Sequence, residues 1–327
     1  MNELFHKIIR DRNEITVRYD AETEALWVYA NPQECPCFSL EFFQEYHEVQ
    51  MDVIEYFKAY DMDPEIPIKF FVYASQIPDV YGYGGKLEGL VSAFKDKNRE
   101  NLMACANVAI KNMYLNTHNL DLPLHTIAYI EGDALGGAFQ AALSFNAIIA
   151  EEHTQFGLQQ IRFNMCPGIG VYSFLARKVG INNADTIIRN ARLYTAQEIS
   201  DMGAITEIAR TGEGKKVVDR YMKQYRRSFR VMQAIHAAKM RYAPLEFDEL
   251  EFMAELWADT MTSLGDEEIT KLEKIADSQR KQIYGISHRL RAKQDRRFNS
   301  EIDFPLIDAD GNLVEKDRRH LPDPRKS

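Results

Sequence analysis

The sequence predicts an α/β protein that carries a C-terminal all-helical extension. Short runs of β-branched and aromatic residues alternate with helical apolar spacing over the first 214 residues, which is typical of a core built on parallel strands. From about residue 215 onwards only helical spacing recurs. A chain of 327 residues is long for one domain and short for two, so we expect one large domain with an appendage.

The N-terminal part of the chain predicts a hairpin, a helix and a buried strand. The runs "ITVRYD" (15–20) and "ALWVYAN" (25–31) are separated by a turn-like segment, which indicates a β-hairpin. The segment "SLEFFQEYHEVQMDVIEYFKAY" (39–60) has helical spacing, and Ser39 is its expected N-cap. The segment "IPIKFFVYAS" (66–75) is mostly apolar, as expected of a buried strand.

The middle of the chain continues the alternation of strands and helices. A loop rich in Gly, Pro and Tyr (76–89) precedes one predicted long helix (89–117). A short helix and a strand over 195–210 close the predicted core. Between these segments we expect a strand that runs into a glycine turn, a short helix and another strand, at 125–137, 138–146 and 147–152.

Three helical blocks follow, over 215–242, 247–263 and 266–297, and Asp266 is the expected N-cap of the last. We therefore predict an α/β core over 1–214, a helical extension over 215–297 that serves oligomerisation and pocket closure, and a loose polar tail over 298–327. One apolar stripe, interrupted by a single Gln, runs along the last block: Ile269, Leu272, Ile275, Gln279, Ile283, Ile286 and Leu290.

Composition argues against several classes of protein. The formal charge of −9 and the pI near 5.5 argue against a general nucleic-acid binder. The chain has no run of 18 apolar residues and a charged N-terminus, so we expect no membrane span, no secretory signal and a cytoplasmic location. The only close cysteine pair, in "CPC", lacks a second cluster. We therefore expect no metal site and free thiols at all four cysteines, Cys35, Cys37, Cys105 and Cys166.

Two glycine turns carry the first indication of chemistry. The turns "YGYGGKL" (81–87) and "ALGGAF" (134–139) each follow a predicted strand and precede a predicted helix. Backbone N–H groups at the start of a helix lack partners within it, and glycine lets a ligand approach the backbone. Two such turns brought together would hold one oxygen atom between two N–H donors, as an oxyanion hole for a thioester carbonyl does. The alternative is a pair of ordinary turns in an α/β fold.

The segment from Gly132 to Gly180, "GDALGGAFQAALSFNAIIAEEHTQFGLQQIRFNMCPGIGVYSFLARKVG", resembles the core of the enoyl-CoA hydratase, or crotonase, superfamily. The segments 202–214 and 226–275 are similar to the helical extension of diffusible-signal-factor (DSF) synthases, crotonase relatives that act on acyl carrier protein thioesters. The resemblance covers about residues 10–297. It implies a spiral of ββα turns and a homotrimer or dimer of trimers. It also implies an acyl-CoA or acyl carrier protein substrate, with coenzyme A or phosphopantetheine entering only as part of the substrate.

The resemblance assigns roles residue by residue. The oxyanion donors match the backbone N–H groups of Gly85 and Gly137, and the two catalytic glutamates of the family match Gln140 and Gln160. Gln can hold a water molecule or a hydroxyl group, but it cannot accept the proton that hydration or dehydration must move. Further departures from the family pattern favour natural divergence over an engineered pair of amides: Lys86, Ala138, Asn146 and Gln159.

Other side chains near these motifs are candidate substitutes for the missing acid and base. His153 lies between the two glutamine positions, and Tyr83 flanks the first glycine turn, as Tyr81 does. Surface or packing roles are the alternative for each. Glu131 and Asp133 precede the second turn; they could point into the pocket, and solvation at the strand end is the favoured alternative. Glu151 and Glu152 end a strand and are expected to face solvent, and Cys166 is expected to be buried and inert.

The block 215–242 has nine Lys and Arg residues and one Asp, so its net charge is +9 − 1 = +8. One interpretation is a platform for coenzyme A phosphates or an acidic carrier protein, with Arg226, Arg227 and Arg230 as contacts. The alternative is a solvated helix with ion pairs to the acidic helix 247–259.

The sequence leaves three functional hypotheses open. The first is an acyl-thioester lyase or thioesterase that uses the oxyanion hole with unfamiliar proton donors. The second is a decarboxylase of malonyl-type thioesters, because that enolate needs the hole but no base. The third is a catalytically inactive protein that binds acyl groups or a partner and regulates.

Overall fold

The computed structural model describes residues 3–32, 35–63, 65–277, 306–307 and 313–314. The chain divides into two compact units, Met1–Ile283 and Tyr284–Ser327. The predicted α/β class with a helical C-terminal region is confirmed.

Two sheets form the first unit. The larger has the order β1-β2-β3-β5-β7-β10, in which β1 and β2 form the predicted antiparallel hairpin and the other neighbours are parallel. The smaller has the order β4-β6-β8-β9. The strands are β1 (Ile15–Asp20), β2 (Ala25–Ala30), β3 (Phe70–Ser75), β4 (Val80–Gly82), β5 (His125–Ile130), β6 (Asp133–Leu135), β7 (Ala147–Glu151), β8 (Gln155–Gly157), β9 (Leu193–Thr195) and β10 (Glu207–Ala209).

The helices connect and cover these strands. They are α1 (Glu3–Ile8), α2 (Leu40–Ala59), α3 (Leu87–Lys95), α4 (Arg99–Thr117), α5 (Gly137–Leu143), α6 (Val171–Val179), α7 (Ile181–Asn190), α8 (Ala196–Asp201), α9 (Gly214–Arg227), α10 (Phe229–Tyr242), α11 (Phe247–Thr262) and α12, which is described over 266–277. The predicted cap of α2 is confirmed, because the Ser39 hydroxyl accepts a hydrogen bond from the Phe42 backbone N–H at 2.8 Å.

Alternate residues of the large sheet face two apolar clusters. In β2, Leu26 and Val28 face the cluster that contains α2 and α4, whereas Trp27 faces the opposite cluster. Helix α9 covers that opposite face with Val218, Met222 and other apolar side chains. The large sheet is therefore buried on both sides, as parallel sheets usually are.

Three predicted helix boundaries were wrong. The predicted helix 89–117 is two helices, because Lys97 has a φ of +47° and Asn98 caps α4 by accepting from the Asn101 backbone N–H. The predicted helix 215–242 is likewise divided at Ser228. Asp266 is the first residue of α12 and not the residue before it.

The predicted free thiols at Cys35 and Cys37 were wrong, because the two residues form a disulfide. Their Cα atoms lie 5.1 Å apart across Pro36, a separation that a disulfide spans. Cys105 and Cys166 have free thiols, as predicted.

The C-terminal region is described in part. Ile269, Leu272 and Ile275 of the predicted apolar stripe pack into the core of the first unit, whereas Gln279, Ile283, Ile286 and Leu290 lie outside the described residues. In the second unit, β11 (Leu306–Ile307) pairs antiparallel with β12 (Leu313–Val314), within the segment that was predicted to be a loose tail. Within the described ranges, every helix is too short or too polar to cross a bilayer.

Candidate functional site

The two glycine turns meet because they follow neighbouring strands. Strands β4 and β6 are parallel, with Gly82 opposite Ala134, so the turns after them leave the same edge of the small sheet. A Cβ atom on Gly84, which has a φ of +85°, would lie 2.7 Å from the Gly137 nitrogen. A Cβ atom on Gly137 would lie 3.4 Å from the Gly85 nitrogen. Only glycine at position 84 permits this close backbone approach.

The first turn is held by the chain that precedes α2. The Tyr83 N–H donates to the Pro36 carbonyl at 2.8 Å. The Phe38 N–H donates to the Gly84 carbonyl at 2.7 Å, and the Lys86 N–H donates to the Phe38 carbonyl at 2.9 Å. Successive backbone groups of an extended segment point to opposite sides, so the backbone groups of Gly85 are directed away from Phe38. The disulfide lies in this same bracing segment.

A cavity of about 310 Å³ opens next to the two turns, and we call it the amide cavity. Gly85, Gly137, Gln140 and Gln160 all line it. Gln140 lies one helical turn beyond Gly137 in α5, and Gln160 begins a one-turn 3-10 helix after β8. A Cβ atom on Gly136 would lie 3.5 Å from the Gln160 Nε2.

Both glutamines place side-chain oxygen atoms on the cavity that have no partner in the described part of the chain. The side chain of Gln140 is 2 % exposed, and the Oε1 atoms of Gln140 and Gln160 have no hydrogen-bond partner among the described residues. A buried amide oxygen without a partner costs free energy unless a ligand or water supplies a donor. The two amides therefore form a neutral polar patch beside the glycine turns.

The described lining of the amide cavity is neutral. Among the described residues that line it, none is Asp, Glu, His, Lys or Arg. The groups there that can ionise are the Tyr83 hydroxyl and the Cys166 thiol, and burial raises the pKa of Cys166. Neither group is a strong base at neutral pH.

A second cavity of about 480 Å³ adjoins the first and lies against α3 and α4. The two cavities share five lining residues, and Gly85 and Gly137 are among them. These two glycines therefore lie between the cavities. Polar side chains, including Ser39, Lys86 and Asn101, line part of the second cavity. Cys105 also lines it, and burial raises the pKa of that thiol to about 11.

The candidate substitute residues take different positions. Tyr83 lines the amide cavity, whereas Tyr81 is buried beside Tyr73 and its pKa is raised well above the usual range by that burial. His153 does not line the amide cavity. Its Nδ1 lies 3.2 Å from the Thr211 Oγ1, and its Nε2 lies 3.8 Å from an Asp79 carboxylate oxygen. The structure therefore does not bring His153 to the two glutamines.

The expectation that Glu151 faces solvent was wrong. Its side chain is 1 % exposed and accepts hydrogen bonds from the Gly212 N–H at 2.8 Å, the Gly214 N–H at 3.0 Å and the Tyr129 hydroxyl at 2.9 Å. This carboxylate holds the start of α9 against the large sheet. Its two backbone donors come 61 and 63 residues later in the chain, so no local pattern indicated them.

The other acidic candidates also lie outside the lining of the amide cavity. Glu152 is exposed and accepts from the Thr211 N–H at 3.2 Å. Asp133 is half-buried, and burial raises its pKa. The Tyr129 hydroxyl lies 3.3 Å from Glu131.

The basic block pairs with a different partner from the one expected. Arg226 lies 3.1 Å from Glu24, and Lys223 lies 2.7 Å from Glu22, both in the turn of the N-terminal hairpin. Arg227 and Arg230 are exposed. The acidic helix α11 instead binds core helices, through Arg177 to Glu249 and Arg99 to Asp259.

Three apolar side chains of the described helical extension line the amide cavity: Trp257 from α11 and Leu272 and Ile275 from α12. The sequence indicated the last two only as part of an apolar stripe, and it gave no signal for Trp257.

A sequence profile described as Enoyl-CoA hydratase/isomerase matches residues 47–280. The mitochondrial methylglutaconyl-CoA hydratase of Mus musculus is 34 % identical over 88 residues, 27 % of this chain and 28 % of that protein. The 2,3-dehydroadipyl-CoA hydratase of Escherichia coli K12 is 28 % identical over 109 residues, 33 % of this chain and 42 % of that protein. These alignments span less than half the length of each relative.

Solved structures share the fold. An enoyl-CoA hydratase from Bacillus halodurans has a TM-score of 0.66 at 21 % identity, covering 80 % of this chain and 100 % of that one. An enoyl-CoA hydratase/isomerase from Xanthobacter autotrophicus Py2 has a TM-score of 0.65 at 16 % identity, covering 89 % and 100 %. DspI from Pseudomonas aeruginosa has a TM-score of 0.53 at 18 % identity, covering 71 % and 80 %. At these identities the likeness concerns the fold alone.

Proposed function

The chain belongs to the enoyl-CoA hydratase/isomerase family, and on that premise we propose that it binds an acyl thioester whose carbonyl oxygen lies between the backbone N–H groups of Gly85 and Gly137. The close contact of the two glycine turns and their position on the cavity wall support this proposal. Two N–H donors directed at one oxygen stabilise the negative charge that an enolate or a tetrahedral adduct develops there.

The observation that carries the proposal further is that no charged group occurs among the described residues that line the amide cavity. Hydration and dehydration of a thioester need a group that accepts and returns a proton, and such a group contributes about 10²–10⁴-fold to the rate. Gln140 and Gln160 occupy the cavity without that ability. The protein therefore retains thioester binding and polarisation, and it lacks ordinary hydratase activity.

Decarboxylation of a malonyl-type thioester is the reaction that this lining favours, and it is our second candidate function. The bond between Cα and the carboxylate breaks, CO₂ leaves, and the electron pair forms an enolate whose oxygen the two N–H groups stabilise. A proton from water then completes the thioester product at Cα. No base is required, and neutral amides do not repel the substrate carboxylate as glutamates would.

The carrier and the assembly are further parts of the proposal. The carrier is coenzyme A or an acyl carrier protein, and the exposed Arg227 and Arg230, with Arg226, are its proposed contact surface. The similarity of 202–214 and 226–275 to DSF synthases and the trimeric assembly of that superfamily rest on sequence resemblance alone.

A matched pair of variants at one position tests the oxyanion donor. Gly137 is the first residue of α5, where proline is tolerated, so Gly137→Pro removes the N–H while keeping the helix. Gly137→Ala keeps the N–H, and its Cβ meets only contacts of 3.4 Å or more. We would measure binding and turnover of butyryl-, crotonyl-, 3-hydroxybutyryl- and malonyl-CoA by calorimetry and mass spectrometry.

We expect binding by the unmodified protein and by Gly137→Ala. A loss of about 10²-fold or more in turnover, or a matching loss in affinity, is expected for Gly137→Pro. Malonyl-CoA converted to acetyl-CoA and CO₂ would establish the decarboxylase. Thioester binding without any product would establish the inactive binding protein. Equal behaviour of the two variants would refute the oxyanion role of Gly137.

A further inference from the structure

We propose that Trp257 sets the length of the acyl chain that the amide cavity accepts, an inference that rests on the proposed binding of an acyl thioester. Trp257 belongs to α11, outside the α/β core, and it lines both the amide cavity and the second cavity. It shares this position with Gly85, Leu90, Gly137 and Ile169, and its indole is the largest side chain between the two cavities.

The direction of the acyl chain follows from the polar groups. Gln140 and Gln160 line the amide cavity and not the second cavity. Cα and Cβ of a thioester held by Gly85 and Gly137 occupy the amide cavity if they contact these amides. The remaining apolar carbons then meet the apolar lining, to which Trp257 contributes the largest side chain.

Trp257 is held in a fixed position. Its side chain is 6 % exposed and packs directly over Gly168, where an added Cβ would lie 2.4 Å from the Trp257 Cβ and Cγ atoms. About two turns earlier in α11 the same fit recurs, because the missing Cβ of Gly170 leaves room for Leu250. The core therefore has two glycines that receive side chains of this helix.

Ion pairs hold α11 on both sides of the tryptophan. Glu249 accepts two hydrogen bonds of 2.8 Å from the Arg177 guanidinium, and Asp259 accepts one of 2.7 Å from Arg99. A buried aromatic side chain on a helix anchored in this way forms a firm wall. Rigid apolar walls discriminate chain length by volume.

The cavity volume gives the expected limit. A methylene group takes about the space of a water molecule, about 30 Å³, so 310 Å³ holds about ten such groups. Affinity should rise about fourfold for each methylene that becomes buried. Once the chain fills the amide cavity and reaches Trp257, affinity should stop rising. Removal of the indole enlarges the space available to the chain and should extend the limit.

The test uses saturated acyl-CoA thioesters from C4 to about C16, a range that brackets the volume limit. Binding is measured by calorimetry for the unmodified protein, Trp257→Ala and the milder Trp257→Leu. The matched control is Leu256→Ala, because Leu256 is the exposed neighbour on the same helix and lines neither cavity. Circular dichroism and thermal unfolding confirm that each variant is folded.

An independent readout comes from fluorescence. The chain has two tryptophans, and Trp27 lies on the opposite face of the large sheet from the core that holds Trp257. In a Trp27→Phe background the emission therefore reports Trp257 alone. Ligands long enough to contact the indole should change its emission, and C4 thioesters should change it less.

We expect the limit to move to longer chains in Trp257→Ala, less in Trp257→Leu, and not at all in Leu256→Ala. If acyl thioesters bind but the length profile of folded Trp257→Ala equals that of the unmodified protein, this inference is wrong and the proposed function stands. If no thioester of any length binds to any variant, the proposed function fails and this inference fails with it.

Discussion

Gly84 and Gly137 are in such close backbone contact that a Cβ atom on Gly84 would lie 2.7 Å from the Gly137 nitrogen. The two residues are 53 positions apart, and they meet because β4 and β6 are parallel neighbours that end in the same direction. The spacing of the proposed oxyanion donors therefore depends on the absence of a side chain at position 84.

Gly84→Ala is expected to destabilise the protein and to weaken thioester binding together. Alanine is strained at a φ of +85°, and its Cβ would push the two turns apart. We expect a loss of more than about 1 kcal/mol in the free energy of unfolding, measured by urea denaturation. Gly89→Ala is the control, because Gly89 lies within α3 with nothing within 4 Å, so alanine should stabilise slightly. Unchanged thioester affinity in folded Gly84→Ala would contradict the prediction.

Gln140→Glu combined with Gln160→Glu is expected to create hydratase activity. The pair would supply an acid and a base, which the described lining of the amide cavity does not contain, and each group contributes about 10²–10⁴-fold in such reactions. Hydration of crotonyl-CoA is measured as the loss of enoyl absorbance. Its rate should be negligible in the unmodified protein and should rise by orders of magnitude in the double variant. Each single change should give much less, because the two groups act as a unit.

Two results would count against this argument. A silent double variant with an intact fold would mean that the cavity has diverged beyond these two positions, which favours the decarboxylase or binding function. Ordinary hydration by the unmodified protein would mean that another base is present. Tyr83 would then be the first residue to test, because it lines the cavity whereas His153 does not.

Charge reversal at Arg226, Arg227 and Arg230 is expected to weaken binding of an acidic acyl carrier protein and to flatten its dependence on salt. Arg226 also contacts Glu24, so its reversal has a structural cost. The double variant Arg227→Glu with Arg230→Glu leaves that ion pair in place and isolates the binding effect. Calorimetry at several salt concentrations measures both quantities. An unchanged affinity and salt slope would leave only a solvated helix surface.

The stability of the protein is expected to fall in acid because of His125. Burial, and then the like charges of His236, Lys178 and Lys239, lower the pKa of His125 to about 3. The unfolded chain binds that proton near pH 6.5, so unfolding takes up a proton between these two values. The free energy of unfolding should therefore decrease by about 1.4 kcal/mol for each pH unit lost across this window.

Urea denaturation of the unmodified protein and of His125→Phe, between about pH 7 and pH 4, measures this slope. Phenylalanine keeps the stack on Tyr225, whose ring centre lies 4.1 Å away, but loses the contact with the Tyr221 hydroxyl. At pH 7 the free energy of unfolding of the variant should be lower by about 1 kcal/mol, and it should depend less steeply on pH. Because His236 titrates in the same window, with its pKa lowered to about 4, only the difference between the two slopes reports His125. Equal slopes would contradict the prediction.

Local signals predicted most of the α/β core. The N-terminal hairpin and the Ser39 cap depend on neighbouring residues, so the sequence indicated them correctly. The break before α4 was missed, although Asn98 is a typical N-cap residue, because the apolar spacing continues across it. The disulfide across Pro36 was missed because the expected reducing environment favoured free thiols.

The candidate site was likewise predicted only in part. The resemblance placed Gly85, Gly137, Gln140 and Gln160, and the structure brings the four onto one cavity, although their roles stay predictions. Trp257 had no motif to identify it, because its position depends on how α11 packs onto Gly168. Sequence periodicity predicts which face of a helix is buried, but it does not predict what that face contacts.

The buried carboxylate of Glu151 makes the core and the extension cooperative. A chain cut between β10 and α9 would keep Glu151 beside Tyr129 but lose the Gly212 and Gly214 donors, leaving a charge without its backbone partners. It would also expose the sheet face that α9 covers. The change in composition near residue 215 therefore does not mark a boundary at which the polypeptide can be divided. The two parts should unfold in a single thermal transition, and neither should fold as an independent module.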